Sequence, residues 1–157
     1  MLLPLFQSLE NSAIGEAIRN SLWLFPVVEA FHLVGLAVIG GAILVVDFRL
    51  LGLGLRSHPV SRLARDTQPW VIGSLVLMVL SGFPLFLSEA IKCYYSFAFW
   101  TKMTSLLLAV MFTFTVRRSV ALAPDGRFSS ARHKAVAIVS LALWSTVGWG
   151  GRWIGFS

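Results

Sequence analysis

Residues 22–46 read LWLFPVVEAFHLVGLAVIGGAILVV, and Glu29 and His32 are the ionisable side chains among them. A helix needs about 20 mostly apolar residues to cross the hydrocarbon core of a bilayer, so this stretch predicts a transmembrane helix. Trp23 and Phe25 stand at its start, where membrane helices carry an aromatic belt. The whole chain agrees with a lipid environment, because only 13% of its residues are charged, against about 25% in soluble domains.

Three further apolar stretches follow the first, at about 70–89, 97–116 and 135–153. We therefore predict an all-α fold, an integral membrane four-helix bundle in which residues 1–157 form a single transmembrane domain. Four spans and their short links use most of the 157 residues, which leaves no room for a soluble catalytic domain. Gly82 and Pro84 are expected to kink the second span.

Residues 2–18 place apolar side chains at helical spacings, with a polar break at Asn11 and Ser12. Amphipathic segments of this kind are typical of helices that lie in the membrane interface. We therefore predict a short N-terminal interfacial amphipathic helix ahead of the first span. The segment has no basic beginning and its apolar run is interrupted by polar residues, which argues against a cleaved signal peptide.

The basic residues divide unevenly between the two sides of a four-span bundle. Nine of them lie in or beside the loops after the first and third spans: Arg49, Arg56, Arg62, Arg65, Arg117, Arg118, Arg127, Arg132 and Lys134. Four lie on the other side: Arg19, Lys92, Lys102 and Arg152. Short cytoplasmic loops carry the excess of basic residues, so we predict a protein of the bacterial inner membrane with both termini outside.

The net charge of +6 thus has a topological explanation, and nucleic acid is not an expected partner. Arg117, Arg118 and the other arginines of the basic inner loops are expected to contact anionic lipid headgroups. Other membrane proteins, or a second copy of the chain, are further expected partners.

The candidate site begins with Glu29 and His32, which share one helix face because they are three residues apart. His32 lies about ten residues into the first span, which is roughly 15 Å deep at 1.5 Å per residue. Ionisable groups are expensive at that depth, so each is a functional hypothesis by default. The outer ends of the other spans bring Glu89, Lys102 and Arg152, and we expect all five groups to converge in one outer pocket.

Three hypotheses explain such a pocket. In the first, His32 is an axial ligand of haem b, because imidazole is a common ligand of haem iron, and Lys102 and Arg152 pair with the haem propionates. In the second, Glu29 and His32 form a proton relay or a metal site; Glu-x-x-His is half of the di-iron motif, which the chain supplies once. In the third, Glu29, His32 and Arg152 form a buried network that fixes helix packing.

For the haem hypothesis the chain offers glycines that leave room for a flat macrocycle and tryptophans that could line it. The glycines are Gly35, Gly40 and Gly41, and the tryptophans are Trp70, Trp100, Trp144, Trp149 and Trp153. The functional hypothesis is a haem-b-binding membrane protein for electron transfer or haem handling. Its iron ligand is His32, and its other cofactor contacts are Glu29, Lys102, Arg152, Trp100 and Trp153. Two alternatives stay open: a non-catalytic accessory subunit of a larger membrane complex, and a proton or small-solute transporter that uses Glu29 and His32.

Four segments echo the pattern of an uncharacterised bacterial family of small four-helix integral membrane proteins. They are residues 23–36 (WLFPVVEAFHLVGL), 47–52 (DFRLLG), 102–103 (KM) and 151–154 (GRWI). More distantly, the chain is similar to the short membrane-bound protoporphyrinogen oxidases and the copper-resistance-D-type membrane proteins. In the former, an Ala-x-His in helix one is implied to bind haem and a Trp-x-Lys stands in helix three. Ala30-Phe31-His32 and Trp100-Thr101-Lys102 match these two elements.

The chain also departs from those distant relatives. Glu29 stands where they usually carry a lysine, and Thr113, Thr115 and Val116 occupy the end of helix three, where they often carry a histidine. The resemblance therefore implies haem at His32 without a histidine partner from helix three, and it does not imply oxidase activity.

Overall fold

The protein is all-helical, as predicted. The computed structural model describes residues 2–155, and within them the chain forms seven helices and no strand. Their bounds are α1 Leu3–Glu10, α2 Ala13–Asn20, α3 Leu24–Leu51, α4 Val60–Ser88, α5 Ala90–Tyr95, α6 Phe97–Ala121 and α7 Ser130–Ile154. Helix α6 contains one π-helical turn at Thr113–Arg117. Met1, Phe156 and Ser157, which belong to the predicted single domain, lie outside the described residues.

Helices α3, α4 and α6 are long and apolar enough to cross a membrane. Their most apolar segments have mean hydropathies of 2.1, 2.2 and 1.5, and each helix exceeds the roughly 20 residues that a bilayer requires. Large apolar side chains face outward, among them Val79 and Leu80, which are 60% and 67% exposed. Water disfavours a continuous surface of this kind, whereas hydrocarbon accepts it. The protein is therefore a helical membrane protein.

Helix α7 has the length of a spanning helix, 25 residues, but a lower hydropathy than the other three. Ser, Thr, Gly and Trp interrupt its aliphatic residues, above all in the stretch 144–153. It packs against α3 and α6. The small residues suit this position, because they let neighbouring backbones approach closely.

The long helices extend beyond the apolar stretches from which they were predicted. Helix α4 begins at Val60, ten positions before the predicted start of the second span, and its first turns are amphipathic. Helix α3 continues to Leu51 and ends where Gly52 takes up a left-handed conformation with φ of 79°, as glycine does after many helices. Hydrogen bonding propagates a helix until a capping residue stops it, whereas the apolar pattern marks only the part that hydrocarbon would cover.

The N-terminal segment forms two short helices with the predicted break at Asn11 and Ser12. The Ser12 hydroxyl caps α2 by accepting a hydrogen bond from the backbone N–H of Gly15 at 3.3 Å. Both helices pack on the protein itself. Phe6 is buried with its ring 5.5 Å from that of Phe86, and a Cβ on Gly15 would lie 2.6 Å from the carbonyl oxygen of Leu87.

The bundle has two buried apolar clusters. The first lies where α3, α6 and α7 meet and contains Val46, Leu50, Val120, Ala121, Val136 and Ala137. The second joins α3 to α4 and contains Ile39, Ala42, Ile43, Val71 and Met78. Gly35 also belongs to the α3–α4 contact, because a Cβ there would lie 2.9 Å from Cγ of Met78. This glycine, expected to make room for a macrocycle, is used for close helix packing.

A buried ion pair ties three helices together. Arg117 of the π turn donates from Nε to Oδ1 of Asp47 at 2.7 Å and from Nη2 to the carbonyl oxygen of Ile43 at 3.1 Å. Ser140 of α7 donates to Oδ2 of Asp47 at 2.6 Å. Arg117 was expected to belong to the basic inner loops, but it lies within α6 and its side chain is only 7% exposed. The π turn adds a residue to the helical register, and Arg117 turns into the bundle.

Replacement of Asp47 by Ala should destabilise the protein by about 3–5 kcal/mol, because it leaves the Arg117 guanidinium buried without its counter-charge. The measurement is denaturant unfolding in a fixed detergent. Asp66→Ala is the matched control, since Asp66 pairs with Arg62 at 3.8 Å with both side chains at least 67% exposed, and it should cost less than about 0.5 kcal/mol. Equal costs for the two variants would contradict the structural role of the buried pair.

Candidate functional site

One large cavity opens among α3, α4, α5, α6 and α7. Its volume is about 590 Å³, within the range of about 300–1,000 Å³ that small-molecule and cofactor sites occupy. It is lined by Phe25, Glu29, His32, Leu33, Leu36, Met78, Gly82, Leu85, Phe86, Glu89, Cys93, Phe99, Lys102, Val147, Gly148, Gly151, Arg152, Ile154 and Gly155. Most of these residues are apolar, and the few ionisable groups among them define what the cavity can bind.

The five ionisable groups that the sequence was expected to bring together all line this cavity. Glu29 and His32 come from one face of α3, and Glu89 comes from the junction of α4 and α5. Lys102 comes from α6, and Arg152 comes from the last turn of α7. Convergence of charged groups on an apolar cavity is typical of a binding site rather than of ordinary helix packing.

The hydrogen bonds of Ser81 favour one tautomer of His32. The Ser81 hydroxyl donates to the carbonyl oxygen of Leu77 at 2.7 Å, so its proton is already in use. Nδ1 of His32 lies 2.9 Å from the same hydroxyl oxygen and therefore donates to it. In a neutral imidazole with a proton on Nδ1, Nε2 carries the free lone pair. His32 thus offers the cavity a nitrogen that can accept a proton or coordinate a metal ion.

Gly82, the next residue of α4, gives the imidazole its room. A Cβ at this position would lie 3.0 Å from Cε1 of His32, closer than side chains normally approach. Two neighbouring residues of α4 therefore position the His32 ring. Ser81 orients it through a hydrogen bond, and Gly82 leaves space for it because it has no side chain. From the sequence, Gly82 was expected only to kink the helix, and Ser81 had no predicted role. The adjacent Ser-Gly pair in an apolar helix was the available signal.

Lys102 lies along a glycine surface on α7. A Cβ on Gly150 would lie 3.0 Å from Cβ of Lys102, and one on Gly151 would lie 3.5 Å from Nζ. Within residues 2–155, Lys102 has no carboxylate within 4 Å of its ammonium group. Its charge is therefore available to an anionic group in the cavity. Arg152 follows directly on these glycines and lines the same wall.

The aromatic walls differ from those predicted. Trp100 and Trp153 do not line the cavity: Trp100 donates to the carbonyl oxygen of Tyr94 at 3.0 Å, and Trp153 stacks on Trp149 at 5.4 Å. The cavity is walled instead by three phenylalanines, Phe25, Phe86 and Phe99. Gly40 and Gly41, also expected to make room, lie outside the lining, which contains Gly148 and Gly151 of α7 and Gly155 directly after the helix.

Cys93 of α5 also lines the cavity and had no predicted role. Its side chain is buried. Burial disfavours the thiolate, and the nearby Glu89 carboxylate adds to this, so together they raise the pKa of Cys93 from 9.0 to about 11. The thiol is therefore neutral at physiological pH. Within the described residues, no three His, Cys, Asp or Glu side chains come close enough to hold a metal ion between them.

Fold and cavity together define a helical membrane protein with a largely apolar binding cavity that holds one histidine, two cationic side chains and the carboxylates of Glu29 and Glu89. Residues 12–157 match the family of unknown function DUF6644, and the chain belongs to that family. No curated protein and no solved structure matches the chain. The similarity to protoporphyrinogen oxidases and copper-resistance-D-type proteins stays a hypothesis from the sequence.

Alkylation of Cys93 by a small maleimide should be slow at pH 7 and should accelerate about tenfold per pH unit up to pH 10, because only the thiolate reacts. The measurement is the labelling rate of the folded protein across this range. Ser57→Cys in a Cys93→Ser background is the control, since Ser57 is exposed and its rate should level off near pH 9, as for a thiol with a pKa of about 8.5. A plateau near pH 9 for Cys93 as well would contradict the raised pKa.

Proposed function

We propose that the protein binds haem b in this cavity, with Nε2 of His32 as the axial ligand of the iron. The observation that carries the proposal is the Ser81 hydrogen bond, which leaves the free lone pair on the imidazole nitrogen that haem iron would need. When bound, haem supplies an iron that exchanges one electron and coordinates an additional ligand. The apolar walls would cover the macrocycle and keep water from it.

The charges of the cavity also fit haem. A porphyrin with two propionates is an apolar plate with an anionic edge, and such an edge needs cations where the surroundings are poor in water. Lys102 and Arg152 lie on adjacent surfaces of α6 and α7, and we assign the propionates to them. The glycines of α7 leave the space along which a flat group could lie.

His32 is the histidine of the cavity lining, so a second imidazole ligand is not part of the proposal. Iron with one protein ligand keeps a position open for exchange, which suits haem uptake or transfer better than electron transfer between fixed partners. We therefore favour haem handling as the role. Electron transfer remains the alternative role for the same site.

A transporter that uses Glu29 and His32 is supported less well. Beyond His32 the space between α3 and α4 is filled by the buried cluster that contains Ile39, Ile43 and Met78. The cavity is therefore closed on that side. Its lining forms a binding site and not a path for solutes through the bundle. An accessory subunit would bind its partners through the outer surfaces of the bundle. That function does not explain why the bundle has a cavity.

We further propose that α7 is a fourth span beside α3, α4 and α6, with both termini outside the inner membrane. Besides the buried Arg117, eight basic residues lie in or beside the loops after the first and third spans and support this orientation. In it, the cavity opens toward the outer leaflet, and α1 and α2 lie in the outer interface against the ends of α4 and α5. Haem would then enter from the outer side.

Purified protein titrated with haemin should develop a Soret band at a stoichiometry of one, and His32→Ala should weaken binding by at least tenfold through loss of the axial ligand. Gly82→Ala should also weaken binding, because its Cβ would displace the ring. Gly73→Ala is the matched control: it lies on the same helix, a Cβ there meets nothing within 4 Å, and binding should not change. A well-folded protein that stays colourless, or equal binding by His32→Ala, would overturn the haem proposal.

Single cysteines should report the orientation, because an impermeant maleimide reaches only the outer face of intact spheroplasts. In a Cys93→Ser background, Asn11→Cys should be labelled directly, and Asp125→Cys only after the membrane is permeabilised. Both positions are exposed on the protein surface, so a difference in labelling between them reports the side of the membrane and not burial. The reverse pattern would place the basic loops outside and refute the proposed topology.

A further inference from the structure

A second, smaller pocket lies at the other end of the bundle, between the beginning of α4 and the π turn of α6. Its volume is about 30 Å³, enough for roughly two groups the size of a water molecule. Its polar lining includes Gln68, Thr113, Arg117 and Arg118, and the remainder is mostly apolar. It shares no lining residue with the large cavity, so it is independent of the proposed haem site.

Arg117 links this pocket to the buried ion pair. Its Nε and Nη2 are bonded to Asp47 and Ile43, whereas Nη1 has no hydrogen-bond partner in the described part of the chain. This nitrogen is still reached by solvent, because no fully buried side-chain nitrogen or oxygen lacks a partner there. The Arg117 side chain is 93% covered and lines the pocket, and Nη1 is its nitrogen that is left without a partner.

Of the other polar side chains, Thr113 and Arg118 can donate and the Gln68 amide can donate or accept, whereas the Thr67 hydroxyl already donates its hydrogen to the carbonyl oxygen of Leu63 at 2.8 Å. The hydroxyl of Thr113 accepts from Nε1 of Trp144 at 3.1 Å, which leaves its own hydrogen free to donate. The side chains of Gln68 and Arg118 form no hydrogen bond to any residue from 2 to 155. No carboxylate lines the pocket. A pocket with the Arg118 guanidinium, further hydrogen-bond donors and no carboxylate favours an anion with several oxygen atoms.

The position of the pocket identifies the source of that anion. The pocket lies on the side that carries the basic loops, and Trp70, the neighbour in sequence of the lining residue Val71, is 64% exposed, as is common for aromatic residues at the ends of membrane helices. Basic pockets between spanning helices at this level bind anionic headgroups. We propose that this pocket binds the phosphate group of an anionic phospholipid, held by Arg117, Arg118, Gln68 and Thr113.

The test uses the full-length protein in nanodiscs of phosphatidylcholine with increasing fractions of phosphatidylglycerol, with bound lipid counted by native mass spectrometry. Arg118→Gln should lower the apparent affinity for phosphatidylglycerol about tenfold, and Gln68→Leu about fivefold, as expected for hydrogen bonds to a charged group. Arg65→Gln is the matched control, because Arg65 is an exposed arginine of the same helix end outside the pocket lining. It should change the affinity less than about twofold.

Inorganic phosphate distinguishes the two sources of the anion. Phosphate that raises the unfolding temperature of the protein in pure phosphatidylcholine, and loses this effect in Arg118→Gln, would show that the pocket takes free phosphate and not only a headgroup. Phosphate without effect, together with the lipid result above, supports the headgroup. Equal losses for Arg118→Gln and Arg65→Gln, with none for Gln68→Leu, would reduce the effect to surface charge and overturn the proposal.

Discussion

Hydrocarbon offers no hydrogen bonds, and this constraint governs how the bundle is built. A polar side chain inside such a bundle must find its partners within the protein or in a bound ligand. Asp47 meets the first condition with Arg117 and Ser140, and these contacts fasten α3 to α6 and α7. His32 meets it only in part, because Ser81 satisfies one ring nitrogen and leaves the other to the cavity. The same requirement thus produces a structural element at one end and a candidate site at the other.

The two ends of the molecule differ in how completely their space is filled. Around Asp47 the ion pair and the apolar side chains of the adjoining cluster pack together, and a pocket of about 30 Å³ lies beside the π turn. Around His32 the glycines of α7 hold no side chains to fill the gap, and a cavity of about 590 Å³ remains. Small residues therefore have two uses in this fold: Gly35 brings α3 close to α4, whereas Gly148 and Gly151 line the cavity without adding a side chain to it.

Much of the candidate site could be predicted from the sequence, because ionisable residues are rare in apolar helices and their depth follows from helical rise. Glu29, His32, Glu89, Lys102 and Arg152 were identified in this way, and all five line the cavity. The positions of the tryptophan side chains could not be predicted. The sequence does not show in which direction Trp100 or Trp153 points from its helix. Ser81 was missed because a serine in an apolar helix has no fixed partner until a neighbouring helix brings one to it.

The sequence by itself determined the solvent and the all-helical class, since apolar stretches of this length are stable only as helices in hydrocarbon. It also determined the break between α1 and α2 at Asn11 and Ser12, because local polarity and helix capping decide where a short helix ends. The tertiary structure alone decided that Arg117 turns inward to Asp47, that Gly82 lies under His32, and which walls enclose the cavity. Those outcomes depend on how the helices are rotated and paired, and helix rotation is set by contacts between residues far apart in the chain.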